Sequence, residues 1–233
     1  GLSAGTYAVS VTDANGCADS AGTLLVNPPA LQVVLSVRDS VQCNGMMNGV
    51  LKAFVSGGIP YRMGKPYRYT WKKRNLSGFY ETVPGFTDSL ASGLSSGGYA
   101  VNVSDSVGVS LHADSLLYLP QPDTLDFVPS HADIPCYGNH NGRASVNVSG
   151  GSTPYAYHWS NNETTNIVDS LAPDGYVIEV TDRHGCIRRD SVTILEPKLL
   201  TVNLLSKPIS EHNVCDGKIH AVVAGGTLPY SYQ

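Results

Sequence analysis

Charge is scarce in this chain. Asp, Glu, Lys and Arg make up only 15% of the 233 residues, and the formal net charge is −4. There is no basic surplus to neutralise phosphates, so nucleic acid is excluded as a partner class. Methionine and tryptophan are rare, at 3 and 2 residues. No run of 18 apolar residues occurs, so no transmembrane segment is expected in this chain. No signal peptide is read at the start. The chain opens inside a module, and any targeting segment is expected upstream of it. The helical period is missing throughout. The five cysteines, Cys17, Cys43, Cys136, Cys186 and Cys215, include no Cys-x-x-Cys pair, which removes the zinc ribbon and the thioredoxin motif. The seven histidines form no i, i+4 pair on a helix, so a zinc site is unsupported and no cofactor is expected.

What is present is turn chemistry. There are 24 Gly, 14 Pro, 25 Ser and 14 Thr. Between them lie β-branched and tyrosine residues, which predicts an all-β protein. A hydrophobic content of 42% is enough for packed cores. The wide cysteine spacing fits structural disulfides in an oxidising compartment, with buried free thiols as the alternative.

One phrase organises the chain. Gly57-Gly58 leads to Pro66-Tyr67-Arg68-Tyr69-Thr70-Trp71. Gly150-Gly151 leads to Pro154-Tyr155-Ala156-Tyr157-His158-Trp159, and Gly225-Gly226 to Pro229-Tyr230-Ser231-Tyr232. Three copies mean an array of modules. Cys43 and Cys136 each precede their Gly-Gly by 14 positions, and Gly49, Gly142 and Gly217 precede theirs by 8. Tyr7, Tyr99 and Tyr176 each open an alternating strand, after Leu2, Leu94 and Leu171. Asp13-Ala14-Asn15-Gly16 between two strand-like runs predicts a hairpin with a type I′ turn. Asp105-Ser106-Val107-Gly108 and Asp182-Arg183-His184-Gly185 repeat it. Pro28, Pro122 and Pro197 close the modules, since proline cannot donate to a ladder.

The expected modules are residues 1–29 (the end of one), 30–122 (complete and expanded), 123–198 (complete and compact) and 199–233 (the start of another). Each full module has six or seven short strands. The expected fold is all-β, with tandem immunoglobulin-like β-sandwich modules in a linear array. The Leu-x-x-Gly-x-Tyr phrase predicts a tyrosine corner, and Trp71 and Trp159 are expected in the cores.

The combined phrase is specific: Cys-x-Gly, Gly-Gly-x-x-Pro-Tyr-x-Tyr-x-Trp, Leu-x-x-Gly-x-Tyr, Asp-x-x-Gly-Cys, then x-Pro. It resembles the SprB repeat, which builds long surface adhesins of Bacteroidota, notably the gliding motility adhesin. The resemblance covers essentially the whole chain. It implies a bacterial cell-surface protein, exported by type IX secretion, without enzymatic activity. It implies a module-internal bridge between Cys136 and Cys186, with Cys17 pairing upstream and Cys215 downstream. Val109 stands where the late cysteine belongs, so Cys43 is either free or bonded to Cys17. The module at 30–122 is also 16 residues longer between Gly-Gly and Tyr than its neighbour, and Cys215 is displaced by four positions.

Arg62, Lys65, Arg68, Lys72, Lys73 and Arg74 place six of the 15 basic residues in thirteen positions, among Tyr61, Tyr67, Tyr69 and Trp71. They read as an anion- or polysaccharide-binding edge, or as charges that blunt an exposed strand. Gly93-Leu94-Ser95-Ser96-Gly97 matches a nucleophile elbow, but it precedes a strand where the elbow needs a helix, and no catalytic residue is expected. The Asp13 loop has too few acids around it for calcium. Asp-Ser or Asp-Thr before an aliphatic residue occurs eight times among 14 aspartates. It resembles the O-glycosylation acceptor motif of Bacteroidota, with Ser20, Ser40, Ser89, Ser106, Ser115, Thr124, Ser170 and Ser191 as acceptors. The expected role is a stalk or filament segment of a large adhesin, supporting attachment or gliding. The alternatives are a polysaccharide-binding module using residues 60–80, or an accessory region of a secreted hydrolase. The expected partners are neighbouring modules, surface polysaccharide or other filament chains.

Overall fold

The computed structural model describes residues 1–112 and 117–233. Among them every regular element is a β-strand. No helix is long and apolar enough to cross a membrane. The chain divides into two compact units. The first comprises Gly1–Val41 and Gly45–Gln121, the second Gln42–Asn44 and Pro122–Gln233.

The first unit holds β1 (Gly5–Thr12), β2 (Ala18–Leu25), β3 (Gln32–Asp39), β4 (Met47–Ser56) and β5 (Arg68–Arg74). It continues with β6 (Tyr80–Thr82), β7 (Leu90–Ser95), β8 (Gly97–Ser104), β9 (Ser110–His112) and β10 (Leu117–Leu119). β1 and β2 form a hairpin sheet of their own. The order β3-β4-β7 makes one sheet of a sandwich, and β10-β8-β5-β6, with β9 also on β8, makes the other. The second unit holds β11 (Asp126–Ala132), β12 (Gly142–Ser149), β13 (Ala156–Trp159) and β14 (Ile167–Leu171). It ends with β15 (Gly175–Thr181), β16 (Ile187–Thr193), β17 (Thr201–Lys207) and β18 (Lys218–Ala224). Its sandwich sets β11-β12-β14 against β13-β15-β16, and β17-β18 forms a separate pair.

Alternation builds both cores. Tyr99, Val101 and Val103 on β8 are buried, as are Tyr176, Ile178 and Val180 on β15. Leu51 and Ala53 on β4, and Ala144 and Val146 on β12, meet them from the opposing sheet. Each Val, Leu or Ile side chain among them contributes roughly 1.5–3 kcal/mol when fully buried. Trp71 and Trp159 are buried at the centres, and their indole N–H groups donate to the carbonyls of Asp88 and Thr165, both at 2.9 Å. A buried indole without an acceptor would forfeit part of what its area gains.

The 16 extra residues of the first sandwich lie in two places. Five fall between Gly58 and Trp71, and eleven between Trp71 and Leu94, where β6 forms and pairs with the outer edge of β5. The compact sandwich ends its sheet at β13.

The hairpin turn differs from expectation. A type I′ turn needs positive φ at both central residues. Here Gly16, Gly108 and Gly185 have φ of +84°, +85° and +81°, while the residues before them stay on the ordinary side. The loop is a type I turn closed by a left-handed glycine, because the aspartate at its start holds the turn from within.

Candidate functional site

Each sandwich concentrates its unusual residues at two poles. At the first pole, the hairpin aspartate accepts backbone N–H groups with one oxygen. Asp182 Oδ1 takes His184 and Cys186, both at 2.9 Å. Asp105 Oδ1 takes Val107 at 3.1 Å and Val109 at 2.9 Å. Asp13 Oδ1 takes Asn15 at 2.9 Å and Cys17 at 2.8 Å. In the two complete sandwiches the other oxygen reaches the Gly-Gly turn: Asp105 Oδ2 accepts Ile59 N–H at 3.0 Å, and Asp182 Oδ2 accepts Ser152 N–H at 2.9 Å. Both carboxylates are buried. These N–H bonds, that of Ile59 foremost and those of Val109, Val107 and Gly108 after it, outweigh burial and hold the Asp105 carboxyl below its usual range.

The Gly-Gly turn tolerates no side chain. Gly57, Gly150 and Gly225 have φ of +69°, +67° and +73°, and a Cβ on them would sit 2.0, 1.9 and 2.0 Å from the carbonyl oxygens of Ala30, Thr124 and Leu199. The tyrosine of each Pro-Tyr closes this turn. Tyr67, Tyr155 and Tyr230 donate their hydroxyls to the carbonyls of Gly57, Gly150 and Gly225.

At the opposite pole lies the tyrosine corner. Tyr7 Oη donates to Ser3 O at 2.8 Å, Tyr99 to Ser95 O at 2.8 Å and Tyr176 to Ala172 O at 3.1 Å. The Gly93-Leu94-Ser95-Ser96-Gly97 phrase therefore serves as a corner. The cysteine loops share this pole. Gly45 N–H donates to Gln121 Oε1 at 3.0 Å, and Gly138 N–H to Glu196 Oε2 at 2.8 Å. The residue before each closing proline thus reaches back to hold the loop.

This polarity overturns the bridge expected between Cys136 and Cys186. Cys136 sits in the β11–β12 loop, beside Glu196, and Cys186 lies in the hairpin at the far end of β16. A seven- or eight-residue strand separates the two poles by roughly 25 Å, far beyond the ~7 Å that a disulfide spans between Cα atoms. Cys186 is bonded instead to Cys43, with a Cα–Cα distance of 5.7 Å, and both belong to the second compact unit. The options that Cys43 is free or bonded to Cys17 fall with it. Cys17, Cys136 and Cys215 are exposed free thiols.

The acceptor serines and threonines divide. Ser20, Ser40, Thr124, Ser170 and Ser191 are exposed, and Ser89 is half-buried. Ser106 donates its hydroxyl to Ile59 O at 2.8 Å, and Asp105 before it is buried, so the pole uses both residues of this phrase. Ser115 lies outside the described residues.

The basic cluster does not form one patch. Lys65 pairs with Asp88 at 2.5 Å, and Arg68 stacks over Tyr61 at 4.9 Å. These two side chains line a cleft of about 520 Å³ with Tyr61, Tyr67 and Tyr69. Burial, then Tyr67 and Asp88, push the Tyr69 hydroxyl above its ordinary pKa. Lys73 bonds Ser95 and lies over Tyr99, and with Arg74 it lines a second cleft beside Glu81. Lys72 belongs to the other face of β5, with Arg68 and Arg74, and Arg62 lines neither cleft.

Sequence reading missed the two buried aspartates and the Gln121 and Glu196 braces. The repetition of Asp four positions ahead of Cys17, Val109 and Cys186 was the available signal.

Fold and poles together define a class: immunoglobulin-like sandwich repeats in series along one chain. Residues 130–164 match the SprB repeat family, so the chain carries a SprB repeat there. No curated protein matches the chain. Among solved structures, it is similar to three N-terminal domains of the bacteriophage RB49 highly immunogenic outer capsid protein. That match has 14% identity over 87% of this chain and 70% of the other, with a TM-score of 0.45. It is also similar to a C-terminal fragment of intimin in complex with the intimin-binding domain of the translocated intimin receptor (14% identity, 75% and 67% coverage, TM-score 0.38). A third is a tetra-tandem repeat in the extending region of a large adhesion protein (15% identity, 94% and 69% coverage, TM-score 0.28).

Proposed function

We propose that this chain is a structural stalk segment of a large cell-surface adhesin, built of two complete repeats, 30–122 and 123–198, between the end of one repeat and the start of another. One observation carries the reading. Every residue type that looked like chemistry in the repeated phrase (Gly-Gly, Asp, Tyr, Trp) is consumed in holding a sandwich together, and the same frame recurs along the chain. The SprB repeat at 130–164 supports the surface assignment. Such a segment acts mechanically, holding a distal tip away from the cell, with stability set by each repeat and its neighbour. Type IX export, a part in gliding, and glycans on the exposed Asp-Ser and Asp-Thr phrases are finer parts of the same proposal.

Antibodies against this chain are expected to label intact producing cells, and deletion of residues 30–198 to weaken attachment under flow. Label that appears only after lysis overturns the proposal. An intact mass equal to the bare polypeptide removes the glycans.

A second reading rests on the cleft formed by Tyr61, Tyr67 and Tyr69 with Lys65 and Arg68. Aromatic faces beside cations suit an acidic polysaccharide. Titration with such a polymer is expected to show binding that Arg68→Ala abolishes; equal binding by both proteins removes this reading.

A further inference from the structure

Two of the three free cysteines repeat the geometry of the two that are bonded. Cys136 stands in the loop frame of Cys43. Gly138 follows it with φ +76°, as Gly45 follows Cys43 with φ +78°. The two glycine N–H groups are held by Glu196 and Gln121, each one residue before a closing proline. Cys17 stands in the hairpin frame of Cys186. Asp13 N–H donates to Cys17 O at 2.9 Å and Gly16 N–H to Asp13 O at 3.1 Å, against 3.0 and 3.0 Å for Asp182 with Cys186 and Gly185 with Asp182. Both remaining thiols are exposed.

We infer that the Cys43–Cys186 bond is one rung of a ladder, in which the loop cysteine of each repeat bonds the hairpin cysteine of the repeat that follows. Cys136 then takes the cysteine of an Asp-x-x-Gly-Cys hairpin in the repeat that β17 and β18 open. Cys17 takes the loop cysteine of the repeat before its own. Val109 marks a missing rung, since its hairpin keeps the aspartate frame without the sulfur. Cys215 stands four positions out of the loop register and is not a rung.

The chemistry balances with a small disulfide such as oxidised glutathione as oxidant. The Cys136 thiolate attacks it and expels one glutathione thiolate. The hairpin thiolate then attacks the Cys136 sulfur, forms the protein disulfide and expels the second. Two protein thiols lose two electrons in all, and one oxidised glutathione becomes two reduced ones.

The hairpin can come from the same polypeptide or from the Cys17 hairpin of a second copy. Disulfide mapping separates the two. The full polypeptide is isolated oxidised, alkylated without reductant and digested. The expected peptides join Cys43 to Cys186, and Cys136 to a cysteine that follows Asp-x-x-Gly. If that cysteine is Cys17, the rung joins two copies, and Cys136→Ser converts a reductant-sensitive oligomer to monomer. If it lies in another hairpin, the rung is internal. Three results overturn the ladder: alkylated Cys136 or Cys17 in the unreduced protein, Cys136 bonded to Cys186 or Cys215, or absence of the Cys43–Cys186 peptide. The inference rests on the chain being a series of repeats but not on its surface location. Failed mapping with positive surface labelling therefore removes the ladder alone.

Discussion

Asp182 and Ser152 lie 30 positions apart, yet the Asp182 carboxylate accepts the Ser152 N–H at 2.9 Å while its other oxygen holds the hairpin that contains Cys186. One buried side chain therefore ties the Gly-Gly turn to the hairpin. Replacing Asp182 with Ala strands three N–H groups. Bonds to charged acceptors are worth about 1.5–3 kcal/mol each, but losses shared at one site do not add fully. Urea unfolding is expected to show a loss of roughly 2–4 kcal/mol.

Asp105 makes a pH prediction. Its folded pKa lies below the unfolded value near 3.8 because N–H bonds favour the charged form. The stability it contributes is present above the unfolded value and lost as pH falls through the folded one. The difference in urea midpoint between the native protein and Asp105→Asn is expected to be constant from pH 7 to about 5. It should shrink below about pH 4. A difference unchanged down to pH 2 contradicts the charge-based account.

Gly150→Ala is expected to cost about 3 kcal/mol or more, because the methyl group meets the Thr124 carbonyl oxygen at 1.9 Å in a left-handed backbone. Gly175→Ala is the control. Nothing lies within 4 Å of its Cβ position, and its φ is ordinary. Its midpoint is expected to move by less than about 0.5 kcal/mol.

Tyr176→Phe removes the bond to Ala172 O and leaves the ring in the core. A loss of about 1 kcal/mol is expected from the hydroxyl alone. Trp159→Ala, which also opens a cavity, is expected to lose about 3–5 kcal/mol in the same assay.

Most of the fold was legible because a sandwich core leaves a period-two trace. Tyr99, Val101 and Val103 alternate in sequence as they do in space, and Tyr7, Tyr99 and Tyr176 carried their corner in a local phrase. Local phrases do not show which residues share a pole. The pairing of Cys136 with Cys186 failed there. Both cysteines are in one repeat, but an intact strand stands between them, and strand direction, not sequence nearness, decides which loops meet. The basic run at 62–74 failed similarly. Alternation along β5 sends Lys72 and Lys73 to opposite faces, and Asp88 and Glu81 come from later in the chain to meet the charges. Asp105-Ser106 read as a modification phrase because its partner, Ile59, is 46 positions away.

The Cys43–Cys186 bond encloses residues 44–185 in a covalent ring. A protease that cuts once anywhere inside this ring leaves the two flanking ends joined through sulfur. The insertion loop at 59–66, with Met63 at 86% exposure, falls inside it, as does Leu76 beside β5. When such a chain is pulled from its two ends, damage to these protruding segments becomes a nick instead of a break.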